Sequence, residues 1–295
     1  MRNYLWGYLG SDGVTAQAIG AVEIALWDIM GKSLNAPVYQ LLGGAKDRVE
    51  LYGTGTTYFE KDANWHCRFI DKALEKGFLG IKIRVGKDAG EWDINLVRTV
   101  REHIGEHVKL MVDAYATYTP ATAIRMANLF KDYNVHFFEE PVPQSDIGSL
   151  ARVAEVSPIP IAVGERIFTL QGFKEVVLRR AAHVLQPDAA ICGGLIESKK
   201  ICAIAEAFGF PVAVHIGGLT AIGIAANLHL AASTPGCSML EYDLAPYQPL
   251  RDEILRDPVF CVDSITDGYL AVPQGPGLGI DVDETKFEQF QYQGD

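Results

Sequence analysis

VKLMVD (residues 108–113), VHFFEE (135–140) and IPIAVGE (159–165) are three short, largely apolar runs, each closing on an acid. Short runs of this kind suit parallel strands buried on both faces. The acids Asp113, Glu139 and Glu165 stand 26 residues apart each time, close to one strand, one helix and two loops. The same alternation continues outward in both directions. VELYGTG (49–55) and LGIKIR (79–84) come before it, and AHVLQPD (182–188), PVAVH (211–215) and CSMLEY (237–242) come after. Helical patterns such as AIRMANLFKDY (123–133) and KKICAIAEAFGF (199–210) fill the gaps. Eight strand-like runs joined by helices predict an α/β fold, a TIM-type (β/α)7β barrel over residues 49–244. An open doubly wound sheet is the alternative, but its usual GxGxxG after the first strand is missing.

Residues 1–48 precede the barrel. Within them, 14–33 reads as a helix, with Ala18, Ile19, Val22, Ala25, Leu26 and Ile29 on one apolar stripe. Leu42, Gly43 and Gly44 mark a turn. Residues 245–295 are irregular, with proline and glycine clusters, and are expected to lie across an end of the barrel. The formal charge of −11 disfavours nucleic acid and anionic membranes as partners. Five scattered cysteines without a CxxC pair point to a reduced, cytoplasmic protein. The N-terminal stretch lacks the basic and apolar regions of a signal peptide. No segment is expected to have the roughly 20 apolar residues needed to span a bilayer.

Chemistry in such barrels sits at the C-terminal ends of the strands. The polar residues there are Lys82 and Arg84, Asp113, Glu139 and Glu140, Glu165, Asp188, His215 and Glu241. From Asp113 onward the first residues of these groups are separated by 26, 26, 23, 27 and 26 positions. Singly, each acid reads as an ordinary solvated carboxylate. Three on neighbouring strands repel one another unless a hard divalent ion joins them. Lys82 and Arg84 alternate along one strand and so face the same side. They are either snorkelling surface cations or partners of an anion. His215 next to Asp188 reads as an oriented base, or else as a structural histidine.

KIR, VDA, FEEP, VGER, PDAAICGG, VHIGG and LEYD, in this order and spacing, resemble the enolase superfamily and its mandelate racemase subgroup. AIGAVEIALWDIMGKSLNAPVYQLLGG resembles the helix that precedes that family's barrel. The resemblance covers nearly the whole chain. It implies Mg2+ held by Asp113, Glu139 and Glu165, with Glu140 behind them. It also implies Lys82 at the substrate carboxylate, an Asp188–His215 dyad, and Glu241 as the acid that hydrogen-bonds the enediolate. Lys82, Arg84, Asp188, His215 and Glu241 are thus the catalytic candidates. The implied partner is a small anionic carboxylate, and the implied assembly a homo-oligomer.

Two departures sharpen this expectation. The subgroup often has KxK on its second strand, with the second lysine as a base. Here Arg84 stands there, and arginine is a poor base. That leaves His215 as one credible base, which favours β-elimination of water. The expected enzyme is an acid-sugar (aldonate or aldarate) dehydratase giving a 2-keto-3-deoxy acid. A racemase or epimerase, or an inactive truncated barrel, are the alternatives. Tyr115 replaces the asparagine of the commoner DAN. The resemblance also implies an N-terminal capping domain. This chain is expected to lack most of it, so that residues 245–295 miss a packing partner and the chain is a fragment or takes its cap from elsewhere.

Overall fold

The computed structural model describes residues 10–56, 59–216 and 220–290. Residues 1–9 and the glycine pair of VHIGG (217–218) lie outside the described residues. Two helices come first, α1 (Val14–Leu34) and α2 (Val38–Leu41). Eight strands follow: β1 (Arg48–Thr56), β2 (Gly80–Arg84), β3 (Lys109–Asp113), β4 (Val135–Glu139), β5 (Ile161–Val163), β6 (Val184–Leu185), β7 (Val212–Val214) and β8 (Cys237–Asp243). Between them run α3 (Ala63–Glu75), α4 (Glu91–Ile104), α5 (Pro120–Phe130), α6 (Ile147–Val156), α7 (Thr169–Leu178), α8 (Leu195–Phe208) and α9 (Ala221–Ala232). Every strand pairs in parallel with the next. β8 returns to β1 through Leu51–Leu240 and Tyr52–Glu241, so the sheet closes into the (β/α)7β barrel.

Local chemistry sets where the helices begin. Asp62, Thr119, Asp146 and Thr220 accept backbone N–H groups at the starts of α3, α5, α6 and α9, each satisfying a donor the helix itself leaves unpaired. The buried Asp93 does comparable work for the loop after β2. It accepts the N–H groups of Gly86, Lys87 and Ala89 and the Tyr118 hydroxyl. That ties the loop after Arg84 to the loop after Asp113.

Strand parity divides the barrel interior into two layers. Tyr52, Met111, Phe137, Ala162, Val184, Ala213 and Met239 form an apolar plug separate from the core between strands and helices. Gly80 leaves room for it, since a Cβ there would stand 2.9 Å from the Tyr52 Cβ. Two residues further along the same rows come Lys82, Asp113, Glu139, Gln186, His215 and Glu241. The period of two along a strand carries each row from the plug to the mouth.

α1 lies the other way round from the apolar stripe read in its sequence. Its buried residues are Ala16, Gly20, Ile24 and Gly31, whereas Val22, Leu26 and Ile29 are 48, 59 and 62% exposed. The small residues win because they let the helix backbone come close. A Cβ on Gly31 would lie 2.6 Å from the Gly277 Cα, and one on Gly20 would lie 3.1 Å from the Ala189 carbonyl. Hydrogen bonds complete the contact. Glu23 accepts the Leu195 and Ile196 N–H groups at 2.7 and 3.0 Å, capping α8 from outside, and Asp28 accepts the Leu278 N–H at 2.8 Å. Contrary to the expectation from sequence, α1, with 21 residues and a window of mean hydropathy 1.2, is long and apolar enough to cross a membrane by length and composition alone. Here Glu23 bonds to the start of α8 and Asp28 to Leu278 of the C-terminal part.

The C-terminal part contains α10 (Pro249–Asp252), β9 (Tyr269–Ala271) and α11 (Glu284–Glu288). β9 pairs antiparallel with residues 48–50 at the entry of β1, across the end of the barrel away from the mouth.

Candidate active site

Lys82 and Arg84 lie on β2, Asp113 and Glu139 end β3 and β4, and Glu241 lies in β8. Glu165, Asp188 and His215 come one to three residues beyond their strands. At β5 the inward row continues to Gly164, not to Glu165. A Cβ at Gly164 would be 1.9 Å from the Gln186 carbonyl, so only glycine permits this approach. The chain turns there and delivers Glu165 to the rim.

Lys82 is the hub. Its buried ammonium lies 2.7 Å from Glu139, 2.8 Å from Glu241 and 3.9 Å from Asp113. Burial alone would lower its pKa, but Glu139 and Glu241 outweigh burial and raise it well above the usual lysine range. Gln186 donates to Glu139 at 2.7 Å, and the Tyr52 hydroxyl donates to Glu241 at 3.1 Å. Burial pushes Glu139 up to about 7, with Asp113 and Glu241 adding to the rise against Lys82. For Glu241, burial raises the pKa, but Lys82 and His215 hold the carboxyl below its usual range.

His215 faces carboxylates from both nitrogens. Nδ1 is 3.1 Å from Asp188 and Nε2 is 2.8 Å from Glu165. Burial lowers the ring's pKa, yet Glu241, Asp188 and Glu165 together raise it well above the normal histidine range. Asp188 is itself held. Its second oxygen accepts Asn227 Nδ2 at 2.8 Å and the Ala190 N–H at 2.9 Å, while the Asn227 oxygen accepts the Ala189 N–H. The dyad read from the sequence is therefore a four-part chain that begins on α9.

The outer carboxylates are engaged by arginines. Arg84 lies 3.2 Å from Asp113. Arg166 pairs with both Glu165 and the fully buried Glu140. Among the described residues, the acids and histidine whose ligand atoms lie within 4.8 Å of one another are Glu139, His215 and Glu241. The structure thus brings Asp113, Glu139 and Glu165 to one rim, with only Glu139 in that group of three; Arg84 pairs with Asp113, and Arg166 and His215 pair with Glu165. Tyr52, Gln186, Asn227 and Arg166 escaped the sequence reading as functional residues. Parity could have found Gln186, two residues before Asp188, whereas Tyr52 comes level with Glu241 only through the β1–β8 pairing. No local signal marks Asn227.

Six carboxylates (Asp113, Glu139, Glu140, Glu165, Asp188 and Glu241) share the cations Lys82, Arg84 and Arg166 with His215. Six acids against three cations and one histidine leave the cluster short of positive charge. Its donors are hard oxygens. Both features fit a divalent ion such as Mg2+.

Acids, a buried lysine and an Asp–His pair gathered at the strand ends are groups that can bind an anion and move a proton. The sequence model for enolase C-terminal domain-like proteins matches residues 67–286, and that for the N-terminal domain of mandelate racemase and muconate lactonizing enzymes matches residues 2–43. The chain belongs to the enolase superfamily, in its mandelate racemase subgroup. It is 36% identical to arabinonate dehydratase of Saccharolobus solfataricus, over 98% of this chain and 78% of that protein. The 3,6-anhydro-D-galactonate cycloisomerase from Zobellia galactanivorans superposes with a TM-score of 0.90 at 33% identity, covering 99% of this chain and 80% of that one. A racemase from Streptomyces coelicolor with bound magnesium gives 0.87 at 30% identity, covering 97 and 76%. The match to the N-terminal domain takes in α1, which the sequence reading treated as a linking helix and remnant.

Proposed function

We propose that this chain is an Mg2+-dependent acid-sugar dehydratase that removes the proton α to a carboxylate and expels the β-hydroxyl as water. The observation that carries the reading is His215 held by Asp188, with arginine where a second base would stand. Asp113, Glu139 and Glu165 would hold Mg2+, which supplies Lewis-acid stabilisation of the charge that builds on the substrate carboxylate.

The chain's own residues account for the rest. Lys82 meets the substrate carboxylate and offsets the second charge as the α C–H bond breaks. In its neutral form, which a cation among the surrounding carboxylates would favour, His215 Nε2 takes the α-proton, with Asp188 and Asn227 holding the ring by Nδ1. The electrons form a C=C bond, and the C–O bond at the β-carbon breaks as His215 returns the proton to the departing hydroxyl. The enol then becomes a 2-keto-3-deoxy acid. Glu241 can hydrogen-bond the enediolate only when protonated, a state that a negative substrate beside it favours. Arginine is a poor base, so with Arg84 at that position racemisation would lack its second base.

Incubation with Mg2+ and a panel of aldonates and aldarates, read by semicarbazide detection of keto acid, tests the proposal. Racemisation of a 2-hydroxy acid without keto product would overturn it. The cycloisomerase relative supports a second reading, in which a ring oxygen leaves instead of hydroxyl. Product mass separates the two, because dehydration loses water and cycloisomerisation conserves mass.

A further inference from the structure

We propose that Tyr115 is a positioning residue that holds the Arg84 and Arg166 guanidiniums at the barrel mouth and so sets the wall that the bound acid sugar meets. Tyr115 follows Asp113 by two residues, and its backbone is left-handed, with φ 52°; Ala116 after it has φ 59°. Glycine or asparagine adopts this conformation more readily than tyrosine. Two hydrogen bonds compensate: Asp113 accepts the Tyr115 N–H at 2.7 Å, and the Glu140 carbonyl accepts the Ala116 N–H at 2.8 Å.

Tyr115 is 52% exposed, so core packing does not explain it. The Arg84 guanidinium lies 4.3 Å from its centroid and the Arg166 guanidinium 4.0 Å, both well inside cation–π range. Arg84 comes from β2, Tyr115 from the loop after β3, and Arg166 from the loop after β5. One aromatic ring therefore joins three segments of the rim. Arg84 also faces Asp113, and Arg166 faces Glu165 and Glu140. Strained backbone at a mouth, offset by specific bonds, is a sign of such a task.

The role in substrate binding rests on the dehydratase reading, whereas the clamp itself does not. Tyr115→Asn removes the ring and suits the left-handed backbone, and Tyr115→Phe keeps the ring. Labelling the full chain with phenylglyoxal, followed by peptide mass spectrometry, reads the clamp without turnover. Arg84 and Arg166 are expected to react several-fold faster in Tyr115→Asn than in the wild type or Tyr115→Phe, with the melting temperature of Tyr115→Asn not lowered. In turnover, Tyr115→Asn is expected to raise KM about tenfold with kcat little changed, the pattern of lost uniform binding. Tyr115→Phe should restore KM. Unchanged arginine reactivity in Tyr115→Asn, or a Phe variant as impaired as the Asn variant, overturns the proposal. If the wild type makes no keto acid from any acid sugar, the dehydratase reading falls, and the labelling still decides the clamp.

Discussion

Phe137 and Glu139 lie two residues apart on β4, facing the same barrel axis. Phe137 belongs to the apolar plug, and Glu139 contacts Lys82 and Gln186 at the mouth. Met111 and Asp113, Ala213 and His215, and Met239 and Glu241 repeat the contrast on β3, β7 and β8. The plug is held by packing among neutral groups and makes the strands rigid. The mouth is an assembly of buried charges, each costly alone and tolerable only with its partners. A rigid floor below and an unbalanced charge cluster above divide stability from chemistry along the same strands.

Substitutions in the two layers should separate these properties. The largest effect is expected from His215→Asn, which removes the proton carrier. Turnover should fall about 10³-fold or more, and exchange of the substrate α-proton in D2O, followed by NMR, should stop. Phe137→Ala should instead leave a cavity in the plug and destabilise the fold by about 3–5 kcal/mol in urea denaturation, with kcat per folded molecule largely kept. If Phe137→Ala abolishes turnover at full stability, the division between layers is wrong.

Two of the buried histidines, His215 and His229, sharpen the contrast through pH. His215 is surrounded by carboxylates and shifts up. His229 on α9 accepts the Tyr39 N–H at Nδ1 and donates to the Leu278 carbonyl from Nε2. Both contacts suit the neutral ring, and burial pushes its pKa down to about 4 from 6.5. The folded chain then binds fewer protons than the unfolded one between these values. The contribution is complete above the unfolded value and fades as pH falls towards the folded one. It amounts to about 3 kcal/mol. Denaturation between about pH 4 and pH 7 should show this slope, and His229→Gln, which retains one acceptor and one donor, should flatten it.

The smallest effect tests the reach of the mouth into the helical layer. Asn227→Ala frees Asp188 on one side and leaves the Ala189 N–H unpaired. A loss in kcat of about tenfold with KM unchanged is expected, as for other partners that orient a reacting histidine. An unaltered kcat would confine the site to the strands.

Much of this could be read in the sequence. The apolar runs ended on acids at nearly constant spacing, and that periodicity set the strand order and placed Asp113, Glu139, Glu165, Asp188, His215 and Glu241 at one rim. Lys82 and Arg84 shared a face by strand parity. Parity does not specify partners, however. Asn227 approaches Asp188 from a helix 39 positions later, and Arg166 turns to Glu140 as well as to its neighbour Glu165. Such pairings depend on how loops close, which local propensity does not encode.

The sequence by itself determined the barrel, the order of its strands and the acids that end them, because the period of two along a strand and the length of one βα unit are local properties. Only the tertiary structure decided which face of α1 is buried and which cation meets which acid. α1 is apolar on more than one side, so its orientation follows from close backbone approach at Gly20 and Gly31 and from the bonds of Glu23 and Asp28. At the mouth, charged groups from the ends of seven strands, β2 to β8, compete for few partners, and distances of an ångström choose among them.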